Sequence, residues 1–154
     1  MRYLFRIICA TLLLVGVNFC VSYSEELPMG KIVDQFKQAT DVQRDELRDF
    51  YKDREALGYG TVENVRDYNS FDEVNDIERN YYEIITAVQK TAAGNPYKVI
   101  FVYKNKDKVK SIDRGQVIER RANILRVIDE RLWISVWLYE GEFTPEEKEQ
   151  FKYK

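Results

Sequence analysis

The stretch Leu132-Trp133-Ile134-Ser135-Val136-Trp137-Leu138-Tyr139 decides the fold. Successive side chains of an extended chain point to opposite faces, so Leu132, Ile134, Val136 and Leu138 fall on one side and Trp133, Ser135, Trp137 and Tyr139 on the other. β-Branched and aromatic residues in that alternation predict a strand with an aliphatic face toward a core and an aromatic face behind it. Asp129-Glu130-Arg131 immediately before it is short enough to make this strand the second arm of an antiparallel hairpin, with Gln116 to Ile128 as the first arm.

Three earlier stretches share this texture: Leu57 to Asp67, Tyr81 to Lys90 and Tyr97 to Tyr103. Gly94-Asn95-Pro96 and the polar run Lys104 to Gly115 punctuate the later ones. Asn69 to Asn80 is expected as a long acidic connection carrying Asp72, Glu73, Asp76 and Glu78. Before the strands, Thr40 and Gln43 form the S/T-x-x-E/Q pattern in which hydroxyl and amide each satisfy a free backbone donor at a helix start. A helix from Asp41 to about Arg54 follows, with an apolar stripe of Val42, Leu47, Phe50 and Tyr51. After the strands, Gly141 breaks the pattern, and Thr144-Pro145-Glu146-Glu147 predicts a short terminal helix with a capping residue, proline at its first position and glutamate at its third. Residues 25–39 are expected as a flexible lead-in in which Lys31 to Gln38 forms a helical turn, and residues 40–154 as one domain.

The series Val42-Gln43-Arg44-Asp45-Glu46-Leu47, then Gly58-x-Gly60-x-Val62-x-x-Val65, Tyr82-x-Ile84, Val99-x-Phe101 and Asp113-x-Gly115-Gln116-Val117 resembles exported OB-fold proteins of the tRNA-anti-like group over Asp41 to Tyr139. The resemblance implies a five-stranded Greek-key barrel, often with nothing catalytic attached; with the helices read from the residues, the expected fold is mainly β with flanking helices, a five-stranded OB-like Greek-key barrel preceded by an α-helix and followed by a short C-terminal helix. It implies kinship to anticodon-binding domains without implying that tRNA is the ligand. Gly58 and Gly60 fit either the sharp coiling of a strand shared between two sides of a barrel or a plain edge bulge. The acidic stretch Asn69 to Asn80 departs from the family pattern by its length.

The first residues read as an export leader. Arg2 and Arg6 supply a positive start, Ile7 to Val17 an uncharged apolar run, and Ser22 and Ser24 the small residues of a cleavage site before Glu25. Residues 1–24 are therefore expected to be a signal peptide, with the product periplasmic or secreted. The 15 residues from Ile7 to Val21 would span roughly 22 Å as a helix, against a hydrocarbon core of about 30 Å. The alternatives are an uncleaved anchor and lipid attachment at Cys20, against which the bulk of Phe19 weighs. About 130 residues would remain after cleavage, enough for one core.

Maturation also settles which chemistry is at hand. Both cysteines, Cys9 and Cys20, lie in the leader, and the chain has no histidine. That removes disulfides, the commonest zinc ligands, the commonest general base and any Ser-His-Asp arrangement from the mature chain. Losing Arg2 and Arg6 leaves 22 basic against 26 acidic residues, a net charge of −4, which does not advertise a general nucleic-acid binder.

Candidate ligand-binding residues come from two patterns. Trp133, Trp137 and Tyr139 would form a stacking platform for bases or sugars if their face is open, and would be core if a helix covers it. Tyr81-Tyr82 sets one ring on each face of its strand, which adds Tyr82. Lys104, Lys106, Lys108 and Lys110 would line one face of an extended connection as an anion-attracting stripe, diluted by Asp107 and Asp113, or would be a solvated loop. The acids of Asn69 to Asn80 lack the glycine turn of a calcium loop. No catalytic residue, metal site or cofactor is assigned; beside a binding module and a nucleic-acid-binding OB domain, a small carboxylate-dependent hydrolase is the third alternative, weakened by the missing histidine and cysteine. The expected partner is a protein or glycan; nucleic acid is not favoured, and a membrane enters only if the leader stays or Cys20 carries lipid.

Overall fold

The computed structural model describes residues 27–72, 77–149 and 151. The leader, with Cys20 and the Ser24 cleavage point, lies outside them, as do Glu73 and Asp76 of the acidic stretch. The described chain is mainly β with three helices. In order it runs β1 (Leu27–Pro28), α1 (Met29–Gln38), α2 (Asp41–Tyr51), β2 (Glu55–Asp72), β3 (Ile77–Thr86), β4 (Gln89–Lys90), β5 (Pro96–Tyr103), β6 (Val117–Asp129), β7 (Ile134–Tyr139) and α3 (Pro145–Glu149).

Five long strands close into a ring because β2 has two partners. Its first half, Glu55 to Thr61, pairs antiparallel with Val117 to Asn123 of β6, and from Val62 onward it pairs with β3. The ring continues β3 to β5 to β7 to β6, with β5 and β7 parallel and every other neighbour antiparallel. Where β2 changes partner, Val62 faces Thr86 and Asn64 faces Ile85, so Glu63 is an extra residue in the ladder. A bulge of this kind raises the local twist and bends the strand.

Gly58 and Gly60 sit just before this bend, and their role is close approach rather than the bulge itself. A Cβ on Gly58 would lie 2.8 Å from Phe101 Cζ and overlap the Leu138 side chain; one on Gly60 would lie 2.8 Å from Thr86 Cβ. The first half of β2 therefore lies against the side chains of Phe101, Leu138 and Thr86 at a distance only glycine permits.

The interior is filled by the alternate residues Val99 and Phe101 of β5, Ile118 and Ile124 of β6, and Ile134, Val136 and Leu138 of β7. Helix α1 closes onto the same core. Met29, Ile32, Val33 and Phe36 recur at helical spacing and are all buried, each worth on the order of 2 kcal/mol. The helical turn expected at Lys31 to Gln38 is thus a full helix that starts at Met29 and packs into the core. Lys37 and Arg44 both reach the Asp129 carboxylate, at 2.9 and 3.0 Å, fastening α1 and α2 to the end of β6.

Helix α2 starts as expected. The Thr40 hydroxyl accepts from Gln43 N–H, and the Thr40 N–H donates to the Gln43 side chain. It ends at Tyr51, three residues early, and of the expected stripe only Leu47 and Tyr51 pack inward, while Val42 and Phe50 stay exposed. Asn69 to Asn80 is no loop at its ends: Asn69 faces Asn80 and Asp72 faces Ile77, so the β2–β3 pairing runs into it from both sides. At the β6–β7 hairpin the strand starts at Ile134, leaving Leu132 exposed in the turn instead of on the core face.

Candidate binding site

The aromatic side of β7 is covered. Trp137 and Tyr139 are 6% and 4% exposed and belong to a second cluster with Tyr81 of β3, Ile100 and Val102 of β5, and Leu125 of β6. The cover is the segment after Gly141, which carries Phe143 and Phe151 on either side of α3. Phe143 stacks on Tyr81 at 5.8 Å and lies 5.1 Å from Tyr139, and Phe151 lies 5.0 Å from Tyr81 and 6.3 Å from Trp137. The Trp137–Tyr139 platform is therefore closed to stacking while this segment is in place. Sequence reasoning did not single out Phe143 and Phe151, although two phenylalanines flanking a capped five-residue helix on a polar tail are a readable sign of one.

Trp133, the third aromatic of that pattern, is half-buried and engaged. Its Nε1–H donates to Ser135 Oγ at 3.2 Å, the Ser135 hydroxyl donates to Glu130 at 2.6 Å, and the Lys98 ammonium sits 4.7 Å from the ring.

The covering segment is tied down by charge. Lys148 reaches Asp53 at 2.8 Å, Lys52 reaches Glu149 at 3.6 Å, and Lys104 pairs with Glu147. Asp53 stands at a positive φ of 63°, a conformation Asp adopts more readily than most residues, and also accepts from the Tyr139 hydroxyl at 2.7 Å. Partial burial pushes the Asp53 pKa up, but the Lys148 ammonium and the Tyr139 hydroxyl outweigh it and hold the carboxyl below its ordinary range. Burial raises the Tyr139 hydroxyl in turn, with Asp53 adding to the effect and Lys148 opposing it.

The four lysines do not form a stripe. A single turn of 3-10 helix at Lys106–Lys108, capped by the Asn105 side chain, folds the connection back, and Val109 is buried behind it. Lys104 pairs with Glu147, Lys108 with Glu140 at 3.0 Å and Lys110 with Asp107 at 2.6 Å. Lys106 lies 5.9 Å from the ring of Tyr82, which packs at the same end of the interior. Tyr103 beside them has its hydroxyl pushed up to about 12 by burial and by Glu140, with Arg120 pulling the other way.

What stands open is a groove of about 530 Å³ between α2, the outer side of β6 and the covering segment. Leu125, Ile128 and Phe151 give it apolar surface; Asp45, Arg48, Asp49 and Lys52 of the α2 side, with Arg126, Lys148 and Glu149, give it charge. Two features position these groups. Arg48 Nε donates to the Val127 carbonyl at 3.3 Å, fixing α2 over β6. A register shift between Ile124 and Arg126 puts Leu125 and Arg126 together on the outer face, where the Arg126 guanidinium lies 4.0 Å over the Trp137 ring.

Among the described residues no group of three or more His, Cys, Asp or Glu side chains is placed to hold a metal ion, and no helix is long and apolar enough to cross a membrane. No protein-family model matches this chain, and no curated protein matches it.

Proposed function

We propose that this chain is an exported, non-catalytic binding module built on an OB-like barrel, and that it holds an extended ligand, a protein segment or an oligosaccharide, along the groove between α2 and β6. The barrel reading is supported by the ring itself: counting only the long strands, the order is first, second, third, fifth, fourth and back to the first, a Greek-key exchange at the end of the chain. Export rests on the leader.

The observation that carries the ligand reading is the groove's lining. Four basic and three acidic side chains alternate around apolar surface, a near-balanced field that suits a neutral or mixed-charge extended ligand and offers a polyanion little attraction. Nucleic acid was supported mainly by a lysine stripe, and those lysines are spent on Glu147, Glu140, Asp107 and the Tyr82 ring.

Trp137 provides the test, because two of its neighbours, Arg126 and Phe151, line the groove. In a Trp133→Phe protein Trp137 is the sole tryptophan. Titration with chitohexaose, cellohexaose and unstructured ten-residue peptides is expected to give a saturable emission change with at least one of them. Arg48→Ala with Lys52→Ala should weaken it about tenfold. A response to oligo-dT alone, to nothing, or one indifferent to the double substitution overturns the reading.

A further inference from the structure

Glu83 Oε1 and Trp137 Nε1, on the outer face beside the groove, are buried polar atoms with no hydrogen-bond partner. Glu83 is wholly buried; Arg66 Nε donates to its Oε2 at 2.7 Å, and Oε1 accepts nothing. Both residues are on the outer side of the ring. Glu83 is two residues from Tyr81 on β3 and faces Val102, which faces Tyr139; Trp137 faces Ile100. Orphaned polar atoms are rare in native interiors and each needs a reason. A bare acceptor and a bare donor among three aromatic rings resemble a site more than a core.

The segment lying on this face departs from the ring at Gly141, whose φ of +92° only glycine adopts freely. It is held by two phenylalanines, by the three ion pairs described above, and by a five-residue helix too short to be stable alone.

We infer that the stretch from Phe143 to Glu149, with Phe151, is a displaceable cover, and that the face it lies on, Tyr81, Trp137 and Tyr139 with Glu83 beside them on β3, is a binding site for a neutral oligosaccharide. Pyranose rings present an apolar C–H face to stack on tyrosine and tryptophan. Their hydroxyls both donate and accept, as Glu83 Oε1 and Trp137 Nε1 require. A phosphodiester would meet the Arg126 guanidinium over Trp137, but it brings negative charge against the Glu83 carboxylate and leaves Oε1 without a donor, which a sugar hydroxyl supplies. The groove shares Leu125 and Phe151 with the covered cluster, so lifting the cover, which carries the Lys148, Glu149 and Phe151 wall, joins the α2–β6 side of the groove to the rings. In that respect the inference rests on the groove being a ligand site.

The test loosens the cover by substituting residues that line neither the groove nor the face. Glu147→Ala removes both the Lys104 ion pair and the side-chain bond to the Thr144 N–H; Phe143→Ala removes one ring of the cover. Amide hydrogen exchange over residues 143–149 should accelerate in both. Cellohexaose and chitohexaose should bind at least tenfold more tightly than to the unsubstituted chain, since apparent affinity rises with the fraction of open molecules. Adding Glu83→Gln should abolish that gain. Exchange unchanged in both variants, faster exchange without tighter binding, a gain indifferent to Glu83→Gln, or a gain for oligo-dT in place of the sugars each overturns the inference. Arg48→Ala with Lys52→Ala separates the two readings. If it abolishes binding while Glu147→Ala changes nothing, the groove stands and the cover falls. If Glu83-dependent binding survives it, the face stands and the groove falls.

Discussion

Gly58 is the position where a single methyl group does the most damage. The chain passes so close to Leu138 and Phe101 that Gly58→Ala must push both aside, and over-packing of this kind costs about 1–3 kcal/mol. A urea denaturation midpoint should fall accordingly. Asp53 makes a different demand, through charge. Its carboxyl is held below the ordinary value of 3.8 in the folded chain, so the folded state gains from its ionisation. That gain is complete above the ordinary value and disappears as pH falls through the lowered one. Denaturation series between pH 5 and pH 2 should show this loss, and Asp53→Asn, which keeps a residue tolerant of positive φ, should flatten that part of the profile. At this scale the sequence announced the type of residue better than its surroundings. Trp137 and Tyr139 are visible as one face of a strand, but their burial depends on Phe143 and Phe151, which approach from beyond a turn that no local pattern aims. Glu83 gave no signal at all, because a lone glutamate in an alternating strand reads as a solvent-facing residue.

Secondary elements were legible where their own chemistry defines them. Thr40 and Gln43 mark the start of α2 with a reciprocal cap that the structure contains. Thr40→Ala is expected to lower stability by about 1 kcal/mol, whereas Val42→Ala, at a side chain 73% exposed, should stay within about 0.5 kcal/mol; thermal melts of the two, side by side, check both. The five long strands were likewise marked by β-branched and aromatic alternation. Two elements were read too short, each for a physical reason. In α1, Pro28 and Gly30 at the start suggested looseness, while the spacing of Met29, Ile32, Val33 and Phe36 carried the helix. In the β2–β3 hairpin, acidic residues suggested a loop, yet strand pairing continues because the backbone ladder, not the side chains, extends it. The lysine connection failed in the opposite sense. Its alternation was real, but alternation places side chains on one face only in an extended chain, and Asn105 turns this one into a helical bend.

The whole molecule depends on a closure between distant parts of the sequence: Glu55 with Asn123, Thr61 with Val117 and, across the parallel pair, Tyr97 with Ile134. Chains dominated by such separated pairings fold on the millisecond-to-second scale, and stopped-flow refolding followed by Trp137 emission should fall there, with Gly58→Ala speeding unfolding more than it slows refolding if the crossing forms late. The change of partner along β2 also sets an order in time. While a chain is being made, the first half of β2 has no ring neighbour until β6 exists, and β5 lacks its parallel partner until Tyr139 has been added. Up to that moment the polypeptide is an open sheet with bare edges; one more strand turns it into a closed ring. A nascent or truncated chain ending before β7 is therefore not a smaller version of the domain but a sticky precursor, and the stretch from Ile134 to Tyr139 decides whether the ring closes.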